Sequence, residues 1–168
     1  EVVLAPAAAD ILHPMFSNLF VQTEIIRRRQ AILCSRRPRS VEEQTPWLFH
    51  LMAVHGAEIQ NVTYETDRMQ FIGRGYSVAA PYAMSHTTAL SGTQGSVLDP
   101  VAVIRSQIVL EPEQTVTIDM VSGIGETRER ALVLIEKYQD LRIADRVFEL
   151  SWTHSQVVLR RINATEMD

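Results

Sequence analysis

The residues able to do chemistry are scattered along this sequence. Five histidines, His13, His50, His55, His86 and His154, include no pair at the four-residue spacing that sets two imidazoles on one helical face around a metal. His50 and His55 read as ordinary hydrogen-bonded histidines on opposite faces of one strand or at its end. The single cysteine, Cys34, can form no disulfide within the chain, which fits a reducing compartment. It follows Ala31-Ile32-Leu33 and reads as a small core residue rather than a nucleophile. No Gly-x-Ser-x-Gly elbow is present.

Two glycine-rich segments remain. Ser91-Gly92-Thr93-Gln94-Gly95 lacks the Lys-Ser/Thr pair of a phosphate loop and reads as a flexible turn. Gly73-Arg74-Gly75 is too short for a dinucleotide fingerprint, but it sets one arginine between two permissive residues. Arg74 is therefore either a surface turn residue or a ligand contact that forks onto a hydroxyl or an anion. Among the carboxylates, strand alternation puts Glu65 and Asp67 on one face, while Glu24, Asp99, Asp119 and Glu126 are scattered. All read as solvated or capping groups. No pair is brought by sequence to the separation that acid–base cleavage of a glycoside requires, and no catalytic residue and no metal site is assigned.

The elements that must position these residues are mostly strands. Segments 19–26 and 30–36 read as a hairpin joined through an arginine-rich turn. Residues 47–55 are apolar on both faces, with Trp47, Phe49 and Leu51 against Leu48, Met52 and Val54, as in a covered central strand that buries Trp47. Residues 61–66 alternate, with Val62, Tyr64 and Thr66 on one side. Residues 73–99 lose periodicity and read as a long loop, the kind of segment that carries function. In the next strand Ala102, Ile104, Ile108 and Leu110 share a face. In the strand after it Val116, Ile118 and Met120 do, with Glu111-Pro112-Glu113-Gln114 joining the two as a hairpin.

The period then turns helical. Ala131, Leu134, Ile135 and Tyr138 make one stripe behind the N-cap Thr127. Asp140 caps a second helix with a stripe of Ile143, Val147, Leu150, His154, Val157 and Val158, and with Phe148 and Trp152 on another side. Such a helix expects neighbours on more than one face. Strands followed by helices give an all-β sandwich with a helical tail, or an α+β chain. The boundaries are residues 1–125 for the sandwich and 126–168 for the helices.

The 168 residues suffice for one domain with a real core. A net charge of −4 argues against nucleic acid. The clusters Arg27-Arg28-Arg29 and Arg36-Arg37-Pro38-Arg39 read as two solvated turn or strand ends. No stretch is long and apolar enough to cross a bilayer. Asn61-Val62-Thr63 and Asn163-Ala164-Thr165 read as chance glycosylation patterns. Glu1-Val2-Val3-Leu4 reads as a strand already under way, and residues 157–163 as a helix that could continue, so a piece of a longer protein is expected.

Several segments in order resemble one family. They are His13-Pro14-Met15-Phe16-Ser17-Asn18-Leu19-Phe20, Arg36-Arg37-Pro38-Arg39-Ser40, Glu65-Thr66-Asp67-Arg68, Phe71-Ile72-Gly73-Arg74-Gly75, Leu90-Ser91-Gly92-Thr93, Gly95-Ser96-Val97-Leu98-Asp99-Pro100, and Ala144-Asp145-Arg146-Val147-Phe148 leading into Trp152-Thr153-His154-Ser155-Gln156. Together they resemble the cyclic β-1,2-glucan synthases, in the region related to cellobiose and chitobiose phosphorylases.

The resemblance implies a mainly β fold: an antiparallel β-sandwich, the later part of a galactose-mutarotase-like supersandwich, followed by two linker helices leading toward an (α/α)6 barrel that this sequence lacks. The family's general acid lies in that barrel, so a non-catalytic role is expected here. The domain would support the phosphorylase-like region that trims β-1,2-glucan; the alternative is an independent carbohydrate-binding module. Arg74, with Arg68 of the same run of motifs, is the expected substrate-binding pair. The chain itself needs no cofactor, while inorganic phosphate and UDP-glucose are implied for the parent. Implied partners are the rest of the parent chain, especially the barrel, and β-1,2-glucan. A membrane-bound parent would place the domain at the cytoplasmic face of the inner membrane. Apolar surface left open by the missing barrel predicts an oligomer, such as a homo-oligomer, or extensive packing contacts.

Overall fold

The computed structural model describes residues 2–5, 11–12, 19–38, 40–41 and 43–162. Strand β1 (Val21–Ile26) and β2 (Ala31–Arg36) form the first hairpin. Its turn is a 3-10 turn over Arg27–Arg29 that closes on Gln30 in the left-handed region, with φ 44°. β3 (Trp47–His55) pairs with β2, and β4 (Glu58–Asp67) follows it. Two short helices come next, α1 (Arg68–Ile72) and α2 (Tyr82–Ser85). After them run β5 (Gly95–Ser96), β6 (Pro100–Val109) and β7 (Thr117–Gly125). Helices α3 (Arg128–Tyr138) and α4 (Leu141–Arg161) follow.

The strands form two antiparallel sheets, one ordered β5-β1-β2-β3-β7 and one β4-β6. The larger sheet has a core on each face. On one side Ala31, Leu33, Phe49, Leu51 and Ala53 meet Ala131 and Ile135 of α3. On the other Val21, Ile32 and Cys34 meet Tyr64 of β4, joined by Val2 and Leu4. This explains why β2 is a continuous apolar run: Ile32, Leu33 and Cys34 are all fully buried, on alternate faces. Each large side chain so buried contributes about 1.5–3 kcal/mol. Burial pushes the Cys34 thiol up to about 12, so it is a packing group. The fold is therefore mainly β and sandwich-like, with helices at the C-terminal end, as expected.

Several expectations need correction. β6 and β7 are not a hairpin. They lie in different sheets, and the segment Glu111-Pro112-Glu113-Gln114 carries the chain from one to the other. The face of β7 bearing Ile118 and Met120 is open, at 46% and 71% exposed, because a two-stranded sheet does not reach across to the end of a five-stranded one. Val2, Val3 and Leu4 are not in a strand, although the Val2 N–H donates to the Pro100 carbonyl at 2.9 Å. Trp47 is half-buried rather than buried. Arg36 is not a solvated strand end but is buried at 2% exposed. The segments 13–18 and 163–168, which hold part of the first family motif and the second Asn-x-Thr pattern, lie outside the described residues.

Candidate functional site

The long segment between β4 and β6 carries both arginines singled out by sequence, and four polar anchors fix it. The first is Glu65, the one carboxylate buried among the described residues, at 1% exposed. The solvated reading of this residue is wrong. A break in register between Glu65 and Asp67 also interrupts regular strand pairing there. The freed backbone folds back on the side chain. Glu65 Oε1 accepts from the N–H groups of Thr66 and Asp67 at 2.9 and 3.0 Å, and Oε2 accepts from the Ser91 hydroxyl. Next to it Thr66 Oγ1 donates to the Thr93 carbonyl at 2.7 Å and lies 2.6 Å from Thr23 Oγ1 of β1. Both residues are consumed in tying the glycine-rich turn at 91–95 to the two sheets.

The second anchor is Asp67, whose side chain accepts from the Met69 N–H at 2.9 Å and caps α1. The third is Arg68. Its Nη1 donates to Asp99 Oδ2 at 3.1 Å and its N–H to the Asp99 carbonyl at 2.9 Å, closing the segment end to end. The fourth is Arg105 of β6, which donates to the carbonyls of Ala83, His86 and Thr88 and so holds α2 and its exit.

What these anchors display is Arg74 and an aromatic cluster. Gly73 and Gly75 both have φ of 83°, a region that favours glycine, and the turn between them leaves Arg74 exposed. Among the described residues Arg74 has no hydrogen-bond or ion-pair partner, whereas Arg68 is engaged with Asp99. Tyr76 and Tyr82 meet edge to face, 5.4 Å apart, and His86 stacks on Tyr82 at 3.9 Å. A cleft of about 400 Å³ lies beside α2, lined by Ala83, Met84, His86, Thr87, Arg105, Ser106 and Gln107. Among the described residues Ser106 Oγ within it has no hydrogen-bond partner. Mixed hydroxyl, amide and aromatic groups of this kind suit a neutral polyhydroxylated ligand. Glu65, Asp67 and Asp99 each hold the segment in place. No three metal-ligating side chains gather among the described residues.

The sequence singled out Arg74 and Arg68 of this segment, but not Tyr76, Tyr82 or Arg105. The four-residue spacing of Tyr82 and His86 was a usable signal for a shared helical face. Arg105 gave none, since it stands beside Ser106 and Gln107 in the polar stretch of its strand and its carbonyl partners are distant in sequence. His50 and His55 lie on β3, outside this segment. His50 Nδ1 lies 2.8 Å from Ser122 Oγ, and burial holds its ring below the ordinary 6.5. His55 Nε2 lies 3.4 Å from Asp119 Oδ2.

A profile of the glycosyl hydrolase 94 supersandwich domain matches residues 1–141. The chain belongs to that family. The matched stretch of this supersandwich domain takes in all seven strands together with α3, whose Ala131 and Ile135 are part of the core. The chain is also 31% identical, over all 168 of its residues, to the cyclic β-(1,2)-glucan synthase NdvB of Rhizobium meliloti (strain 1021). It covers 6% of that relative's length. No helix among the described residues of the domain is long and apolar enough to cross a membrane.

Proposed function

We propose that this supersandwich domain is a non-catalytic, substrate-shaping part of a cyclic β-1,2-glucan synthase, serving a phosphorylase-like region that trims β-1,2-glucan. The observation that carries the reading is the identity to such a synthase along the whole length of the chain. In this reading the segment between β4 and β6 faces the glucan. Arg74 donates to sugar hydroxyls, and Arg68, through Asp99, holds the segment that presents it. The acid that protonates the leaving oxygen comes from the rest of a longer parent, which also uses inorganic phosphate and UDP-glucose and works at the cytoplasmic face of the inner membrane. The test is incubation of the isolated chain with β-1,2-glucan and inorganic phosphate. No glucose 1-phosphate is expected, and its release by this polypeptide would overturn the proposal.

A second reading, an independent carbohydrate-binding module, is favoured by one observation: Tyr76 and Tyr82 are 44% and 36% exposed beside Arg74. Titration with β-1,2-glucan separates the two. Micromolar affinity that Arg74→Ala abolishes supports the module, and no binding by the isolated chain supports the scaffold.

A further inference from the structure

We propose that the cavity around Arg36 is a binding site for a small organic anion that carries one carboxylate on a hydrocarbon body. Arg36 ends β2, and strand alternation puts it on the same face as Ile32 and Cys34, in the core layer that Val2 and Leu4 join. Its register partner Val21 is fully buried, and Arg36 itself is 2% exposed. A charge in such a place is normally paired, because surroundings of low polarity make an isolated one costly. Arg36 is not paired. Among the described residues its Nε and Nη2 have no hydrogen-bond partner. Arg128 shows what that edge of a guanidinium is for. Although far more exposed, it grips Glu24 through the same two nitrogens, Nε on Oε2 at 2.9 Å and Nη2 on Oε1.

The surroundings of Arg36 narrow the ligand. Arg36 forms part of the wall of a cavity of about 340 Å³, within the range of small-molecule sites. No lining residue comes from the segment between β4 and β6, so the site is separate from the one that presents Arg74. Val3, Leu4, Ala5, Pro46 and Ile124 make one part of the wall apolar, and Gln44 and Thr45 add an amide and a hydroxyl. Glu43 lines it as well, so the wall holds one cationic and one anionic side chain. A phosphate dianion would face that carboxylate with a single cation to hold it, whereas a monocarboxylate brings one charge for one. Its two oxygens take the Nε and Nη2 donors, and its hydrocarbon lies against Leu4, Pro46 and Ile124. Both nitrogens are shut off from solvent, so binding turns this edge of the guanidinium into the cavity, a side-chain change of a kind common on binding.

The experiment is isothermal titration calorimetry of the whole chain with sodium butyrate, and with butyramide and inorganic phosphate at matched ionic strength. It is repeated on Arg36→Met and Ile124→Glu. The wild type is expected to bind butyrate with a dissociation constant of about 1 mM or below. Butyramide, which has the shape without the charge, and phosphate are each expected to bind at least about tenfold more weakly. Arg36→Met is expected to abolish butyrate binding. Ile124→Glu changes a position 62% exposed, so it reads out on a folded chain even where Arg36→Met folds poorly. It puts a second carboxylate on the wall and is expected to weaken butyrate at least about threefold. Butyrate is also expected to raise the melting temperature of the wild type and not that of Arg36→Met. A wild type that binds no butyrate at about 50 mM overturns the proposal. So does butyramide or phosphate binding as tightly as butyrate, or butyrate binding that neither substitution weakens.

Discussion

Helices α3 and α4 follow one another, and both begin on a side-chain cap: Thr127 accepts from the Arg130 N–H at 3.1 Å and Asp140 from the Arg142 N–H at 3.0 Å. Yet Ala131 and Ile135 of α3 are fully buried, while α4 buries no residue and holds Phe148 and Trp152 at 74% and 66% exposed. The difference lies in what the sheet offers each helix. α3 lies over β3 and β7, where Phe49, Leu51 and Val121 face it. α4 continues past the last strand, where the sheet has ended. An apolar stripe thus commits a helix to having a partner, and the neighbouring sheet determines whether this chain supplies one.

The sharpest way to break that contrast is to truncate α3. Ile135→Ala removes a fully buried side chain between helix and sheet and is expected to destabilise the fold by about 2–5 kcal/mol, read from urea unfolding. A loss below about 1 kcal/mol would mean that α3 is as weakly seated as α4. The sheet side of the same contact is expected to be nearly as sensitive. A methyl added at Gly123 would come within 2.6 Å of the Phe49 ring. Gly123→Ala is therefore expected to cost about 1–3 kcal/mol through overpacking, measured as a lowered urea midpoint at unchanged slope.

A smaller effect should appear with pH on the opposite face of β3, where burial depresses the His50 pKa. In the window below the ordinary 6.5, the unfolded chain then binds more protons at this site than the folded one. Stability from this group is full above 6.5 and is lost as pH falls through the folded value. The urea midpoint is expected to fall between pH 7.5 and pH 5 by more in the wild type than in His50→Gln. Equal shifts would show that His50 is as free in the folded chain as in the unfolded one.

Where one residue type reported one environment, the sequence was legible. The double-faced run at 47–55, the alternation of Val62, Tyr64 and Thr66 and the stripe at Ala131 and Ile135 all predicted burial that the fold contains. Sequence neighbours were a poor guide to space. Glu111–Gln114 has turn chemistry, but nothing local tells a hairpin from a crossing between sheets, and that was decided by β3 pairing with β7 and β4 with β6. Glu65 was misread because its partners include Ser91, 26 residues away. Arg74 was legible because its two glycine neighbours advertise an unusual backbone. Arg105 acts through carbonyls, which carry no sequence signal at all.

The smallest expected effect tests the uncovered side. Phe148→Ser removes a large side chain that is 74% exposed, and serine and phenylalanine have similar helix propensities. In dilute solution the free energy of unfolding is expected to change by less than about 0.5 kcal/mol. A loss above about 2 kcal/mol would mean that α4 is already packed within one chain, and the contrast with α3 would collapse.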